Sequence, residues 1–307
     1  DAAELEKEKG VVLEEISMSE DTPEDLTHEL LMLAHYGDQP VARPILGSAE
    51  QISAYTRDDL AAYWGAKYHP QNAVLSIAGN YDWARVQQMI GEKLGAWSAE
   101  NYRPRSDATQ PAAPGCLAKD KEIEQMHICL GFPGLKIGDA QNDELYPLSI
   151  MNNLLGGAMS SRLFQKIREE SGMAYTVYSY PNAYTDCGML SVYAATNPDS
   201  AERVYEQILE EARKIAEGGL TRTEFSMARE QLKAGFILGS ESTSSRMQSN
   251  GRRLLLLNET RSETEVIDRV NAIDYDATNA LMRRLLTAPH SLALVGKNAS
   301  ELLKRMN

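Results

Sequence analysis

Cysteine is scarce in this chain: Cys116, Cys129 and Cys187 are the only three, and no two share a CxxC spacing. That excludes a disulfide framework and a thiolate zinc site, and it fits a reducing compartment. Long apolar runs are missing too. Stretches such as Leu254 to Leu257 fall far short of the roughly 18 residues that a membrane-crossing helix needs, so no membrane association is expected. Positive charge is in deficit, with 31 Lys and Arg against 44 Asp and Glu and a net charge of −13. Such a field repels polyanions and excludes nucleic acid as a partner, while it keeps the surface soluble. There is no initiating Met and no signal-peptide pattern. A helical pattern begins at once, around Glu4, so the start reads as a truncation that could have removed a targeting segment. As it stands, the sequence suggests a cytoplasmic location.

What is present is an ordinary globular composition, 43% hydrophobic and 24% charged over 307 residues, long enough for two domains. Residues 98–120 carry Pro104, Pro111 and Pro114 with little apolar periodicity and read as a linker. The expected division is therefore 1–100, a linker over 101–120, and 121–307. In the first part the pattern predicts helices over 4–18, from Pro23 to about Tyr36, from the Thr56/Asp59 capping box to about Tyr68, and over 82–94. Ala73–Ala78 reads as a strand. In the second part Met126, Ile128, Leu130 and Phe132 alternate with His127, Cys129 and Gly131, the pattern of a half-buried strand.

Helices are then expected near 143–155 and 160–171, the second ended by Gly172. Strands follow over Ala174–Tyr180 and Met189–Thr196, as antiparallel neighbours. A helix capped by Asp199 runs to about Glu217, and one opened by Thr221 and Glu224 could reach Asn250. A helix from about Tyr275 and a strand over Leu292–Val295 close the chain. Residues 52–79 and 270–296 echo each other, each a capped helix, a proline and an apolar strand ending in glycine, which suggests a duplicated fold.

Helical spacing puts Leu5, Glu8, Val12, Glu15 and Ile16 on one face, so two carboxylates lie in an apolar stripe. Desolvating a carboxylate is costly, and a metal or cation would remove that cost. Alternatively the stripe reaches solvent and Glu8 and Glu15 pair with Lys7 or Lys9. Of the five histidines, His28 and His35 lie seven apart and suit a surface or helix-packing role, and His127 reads as a structural polar group in a strand. Arg168 near a helix end and Tyr175 in the next strand could meet across the Gly172 turn. The helix dipole and strand propensity also account for them separately. Gly156–Gly157 would permit close packing or a binding loop.

EKEKGVVLEEI, the segment SMSEDTPEDLTHELLMLAHYGDQPVARPILGS after it, and LLGGAMSSRLFQKIREESGMAYTVYSYPNAYTDCGMLSVYAAT together resemble pitrilysin/insulinase-type zinc metallopeptidases, in the bacterial processing-protease branch. The resemblance implies an α+β fold of two homologous, sandwich-like halves, with antiparallel sheets facing a central chamber and helices outside, the first half incomplete here. It implies one Zn²⁺ per site, held by two His of an inverted HxxEH motif and a downstream Glu that matches Glu15. Glu8 matches the family's supporting acid. Arg168 and Tyr175 match a pair that engages the peptide across the chamber, where a Tyr hydroxyl donates to the developing oxyanion. No HxxEH occurs in the 307 residues, so both His ligands are expected upstream of residue 1. The implied activity is endopeptidase cleavage of peptides or unfolded segments by a homodimer. The alternative is a non-catalytic relative serving as scaffold or peptide-binding subunit.

Overall fold

The computed structural model describes residues 1–98, 108–110, 113–137 and 145–306. Five helices come first: α1 (Ala2–Asp21), α2 (Pro23–Tyr36), α3 (Ala49–Ala54), α4 (Arg57–Lys67) and α5 (Trp83–Leu94). Pro23 opens α2 where a missing N–H costs nothing. Thr56 and Asp59 close the expected capping box on α4.

A single five-stranded sheet follows, from β1 (Cys116–Asp120), β2 (Met126–Pro133), β3 (Ala174–Ala183), β4 (Gly188–Thr196) and β5 (Ser291–Gly296), in the order β1-β5-β2-β4-β3. All neighbours are antiparallel except β1 and β5. The remaining helices are α6 (Leu145–Leu155), α7 (Ala201–Gly218), α8 (Arg222–Ser240), α9 (Thr243–Leu257), α10 (Glu263–Asn271), α11 (Tyr275–Leu286) and α12 (Ala299–Met306). Mixed α+β architecture is therefore as the sequence implied.

The alternation along the strands sorts their side chains onto two faces. Ile128, Leu130, Val192, Ala194, Leu292 and Leu294 point into the main core, against α6, α7 and α11. Helix α7 presents Val204, Ile208, Ala212 and Ile215 to it at helical spacing. Each fully buried Val or Ile of that stripe is worth about 1.5–3 kcal/mol. The opposite face carries Cys129, Met189, Tyr193, Ala195 and Ala293 and is covered by α2 through Leu31. A helix from the first part of the chain thus completes the sheet of the second.

Several sequence expectations need correction. Ala73–Ala78 forms no strand and pairs with none among the described residues; Leu75 and Ile77 are exposed, and Ser76 Oγ instead donates to Met247 O of α9 at 2.7 Å. An apolar strand needs a neighbour, and none of the described residues supplies one. Cys116–Asp120, read as linker, is the strand β1; residues 99–107 and 111–112 of that linker lie outside the described residues. The helix expected from Thr221 to Asn250 is two helices, because Ser242 caps α9 through Ser245 N–H. The cap assigned to Asp199 belongs to Asn197, whose side chain accepts from Asp199 N–H and opens a short turn ahead of α7. The opening of the helix expected over 143–155 also lies outside the described residues.

His35 sits in the α2 seam with no exposed surface; its Nδ1 lies 2.8 Å from Ser291 Oγ and its Nε2 has no partner. A second N–H there would face apolar interior, so burial lowers its pKa from the usual 6.5 to about 4. Between those values the unfolded chain binds a proton that the folded chain refuses. Stability is therefore full above pH 6.5 and falls as pH drops, by up to about 1.4 kcal/mol per unit from this group. Burial lowers His28, His127 and His290 in the same direction. Urea unfolding at pH 7 and pH 5 checks this: His35→Gln, which can keep the bond to Ser291, should flatten the pH dependence. An unchanged slope would refute the assignment to His35.

Candidate active site

Arg168 and Tyr175 do meet across the Gly172 turn. The segment Phe164–Glu170 is wound as a π-helix, the loosened winding often found at functional sites. Gly172 follows it at φ +61°, a backbone angle that glycine adopts without strain. The β3–β4 register shifts between Ala174 and Thr176, so Tyr175 is the extra residue of a β-bulge. A bulge re-aims a side chain out of the ladder. Tyr175 accordingly stands 75% exposed. The guanidinium carbon of Arg168 lies 5.1 Å from the Tyr175 ring centroid and 4.9 Å from that of Phe164. Cation–π attraction thus props the Tyr175 ring and leaves its hydroxyl, which has no hydrogen bond among the described residues, open to a ligand.

A separate polar layer lies between α2 and the sheet. Tyr178 donates to Glu24 Oε1 at 2.5 Å and approaches His28 Nε2 at 3.1 Å. Tyr180 OH lies 2.7 Å from His28 Nδ1, and the Cys129 thiol 3.5 Å from the same nitrogen. His127 Nδ1 meets Tyr193 OH at 2.6 Å. Burial pushes the Cys129 thiol up and the His28 imidazole down, so both stay neutral near pH 7. Helix packing for His28 and His35 and a structural place for His127 follow the sequence reading. The tyrosines were missed, although their period-two spacing in YSY marks one face of a strand.

Gly156 and Gly157 serve close packing. A Cβ on Gly156 would sit 2.6 Å from Ser179 N, and one on Gly157 2.5 Å from Asn152 Nδ2. Gly156 O also accepts from Ser179 N–H at 3.2 Å, which fastens this loop along β3.

Glu8 and Glu15 both lie exposed on α1, whose apolar stripe of Leu5, Val12 and Ile16 is half-buried. Lys7 and Lys9 pair with Glu4 and Glu6 at 2.7 and 2.8 Å, not with Glu8 or Glu15. Both carboxylates are thus without an ion-pair partner among the described residues. Helix α1 packs on α2 and α3, and no hydrogen bond or ion pair links its carboxylates to Arg168 or Tyr175. The described residues contain no group of three or more His, Cys, Asp or Glu that could hold a metal ion. Zinc takes four donors, so Glu15 with its neighbours here does not make a zinc site.

Known proteins share this architecture and its sequence. A family model described as the peptidase M16 inactive domain matches residues 54–232. The uncharacterized zinc protease YmxG of Bacillus subtilis is 39% identical over 304 residues, which span 98% of this chain and 72% of that protein. An uncharacterized zinc protease of Streptomyces coelicolor is 35% identical over 97% of this chain and 67% of its own length. The chain belongs to the M16 peptidase family, the pitrilysin-like class that the sequence resembled. Among solved structures, a protease from Helicobacter pylori superposes with a TM-score of 0.86 at 16% identity, covering 96% of this chain and 72% of that one. A peptidase M16 inactive domain from Pseudomonas fluorescens gives 0.83 at 17%, covering 97% and 71%. At that identity these two speak for the fold.

Proposed function

We propose that this chain serves a zinc-dependent endopeptidase acting on peptides and unfolded segments, and that Tyr175 and Arg168 are its contribution to substrate engagement. The carrying observation is the bulged, exposed Tyr175 with its ring braced on Arg168 and its hydroxyl free. In that role the hydroxyl donates to the carbonyl oxygen of the peptide bond under attack. Arg168 is a positioning residue, holding the ring from behind. Glu15 would offer one carboxylate to the metal and Glu8 would orient a neighbouring ligand. On this reading the imidazole ligands come from outside the 307 residues, and two copies pair so that each metal faces an opposed Arg168–Tyr175.

The names of the bacterial relatives support a zinc protease. A second reading, a non-catalytic peptide-binding or scaffold subunit, is favoured by the family model being of the inactive domain and by the lack of a metal cluster among the described residues. Zinc analysis of the protein isolated from its own cells separates the two. The enzyme reading expects one zinc per copy and cleavage of a quenched peptide that a chelator abolishes and added zinc restores. Chelator-resistant cleavage, or no zinc at all, would sink it.

A further inference from the structure

A cleft of about 580 Å³ opens between α8, α9 and α10, away from Arg168 and Tyr175. Its lining inverts the charge of the chain. Three guanidiniums, Arg246, Arg253 and Arg261, face it against one carboxylate, Glu263, in a chain where acidic residues outnumber basic ones 44 to 31.

Each guanidinium is already held by a carboxylate, that of Arg246 by Glu263 in the lining itself. Arg246 Nη2 pairs with Glu263 Oε1 at 2.5 Å. Arg253 and Arg261 share a single oxygen, Glu259 Oε1, at 3.3 and 2.9 Å, and Arg261 also donates to Tyr146 OH at 3.2 Å. The nearby Glu265 carboxylate is taken up by the α10 cap, accepting from Ser262 N–H and Oγ. Arg253 Nε is buried with no hydrogen-bond partner. The remainder of the Arg253 side chain is partly exposed, and it is this part that an acceptor in the cleft would meet. A planar guanidinium suits a carboxylate in particular, because two of its N–H groups match the two oxygens.

The rest of the lining says what else the ligand carries. Phe236, Val266 and Tyr146 give the lining its apolar part, and Ser249 and Asn250 of α9 add short polar side chains to it. One apolar group beside one carboxylate, with an amide to hydrogen-bond between them, is the chemistry of a peptide's C-terminal residue.

We propose that this cleft binds the free C-terminal carboxylate of a peptide whose last side chain is apolar. The inference stands apart from the metal reading, because it needs no zinc and is tested with chelator present.

Isothermal titration calorimetry of the full chain with N-acetylated pentapeptides ending in leucine, as free acid and as C-terminal amide, tests it. The acid should bind and the amide should bind at least about tenfold more weakly, the loss of one charge-assisted bond. Arg253→Gln should weaken the acid by about the same factor without changing the amide. Ser249→Trp, at an exposed position on α9, should block both peptides while leaving the fold intact. Equal binding of acid and amide, no binding of either, or wild-type affinity in Ser249→Trp would each overturn the proposal.

Discussion

Tyr175→Phe is expected to lower kcat/KM for peptide cleavage by about 10²- to 10³-fold, the loss typical of one removed oxyanion donor. The ring stays, and so does its contact with Arg168; only the hydroxyl goes. Because that hydroxyl is exposed and unbonded in the free protein, stability should change by less than about 0.5 kcal/mol. This separates function from structure more cleanly than most active-site substitutions. The loss should fall on kcat more than on KM, since the bond strengthens as charge develops on the oxygen. Arg168→Lys should show a smaller loss, as an ammonium keeps the charge but loses the flat stacking of the guanidinium. Steady-state kinetics on the zinc-loaded protein, with thermal unfolding alongside, gives both numbers. A kcat/KM within about twofold of wild type would remove Tyr175 from the chemistry.

Tyr193→Ala is expected to cost about 3–5 kcal/mol in urea unfolding, the usual range for truncating a large buried aromatic. Tyr193 is 1% exposed on β4 and stands within 5.0 to 6.0 Å, ring to ring, of His28, Tyr178 and His127. It is therefore the middle of the layer that joins α2 to the sheet. Tyr193→Phe should cost about 1–3 kcal/mol, because it keeps the packing and leaves His127 Nδ1 without its partner. The gap between the two variants measures packing against hydrogen bonding. A cost below about 1 kcal/mol for Tyr193→Ala would show that the layer does not hold the two parts of the chain together.

Where the controlling interaction is local, the sequence was enough. Pro23, the capping boxes Thr56/Asp59 and Thr221/Glu224, and the Gly172 turn each act within a few residues, and each stands where expected. The strand from Met126 to Phe132 was readable, but its expected half-burial was not: one face meets the main core and the α2 layer covers the other, so both are buried. Long-range pairing was not readable. Strand β1 is recognisable only through its ladder to β5, from Cys116↔Leu292 to Asp120↔Gly296, and five residues after a proline-rich stretch carry no pattern of their own. Ala73–Ala78 failed in the opposite way: its composition is that of a strand, but pairing depends on a neighbour.

In the candidate site, Arg168 and Tyr175 were singled out by resemblance, since helix dipole and strand propensity account for each of them alone. The bulge that aims Tyr175 and the π-helical winding beneath Arg168 are backbone facts that no residue type announces. The arginine cleft was missed because Arg246 and Arg253 stand on α9 and Arg261 on the loop after it, and their opposite wall, α8 and α10, is brought up only by folding.

Helix α2 belongs by sequence to the first part of the chain and by burial to the second. A backbone cut after Gln110 would leave the two fragments gripping each other through Leu31, His28 and His35, and neither would float free. Conversely, residues 121–307 made alone would carry a naked greasy surface where Tyr193, Met189 and Ala293 now lie covered. The natural seam of this molecule is thus an interlock rather than a hinge, and the halves are held in register by a clasp that the order of residues along the chain would not suggest.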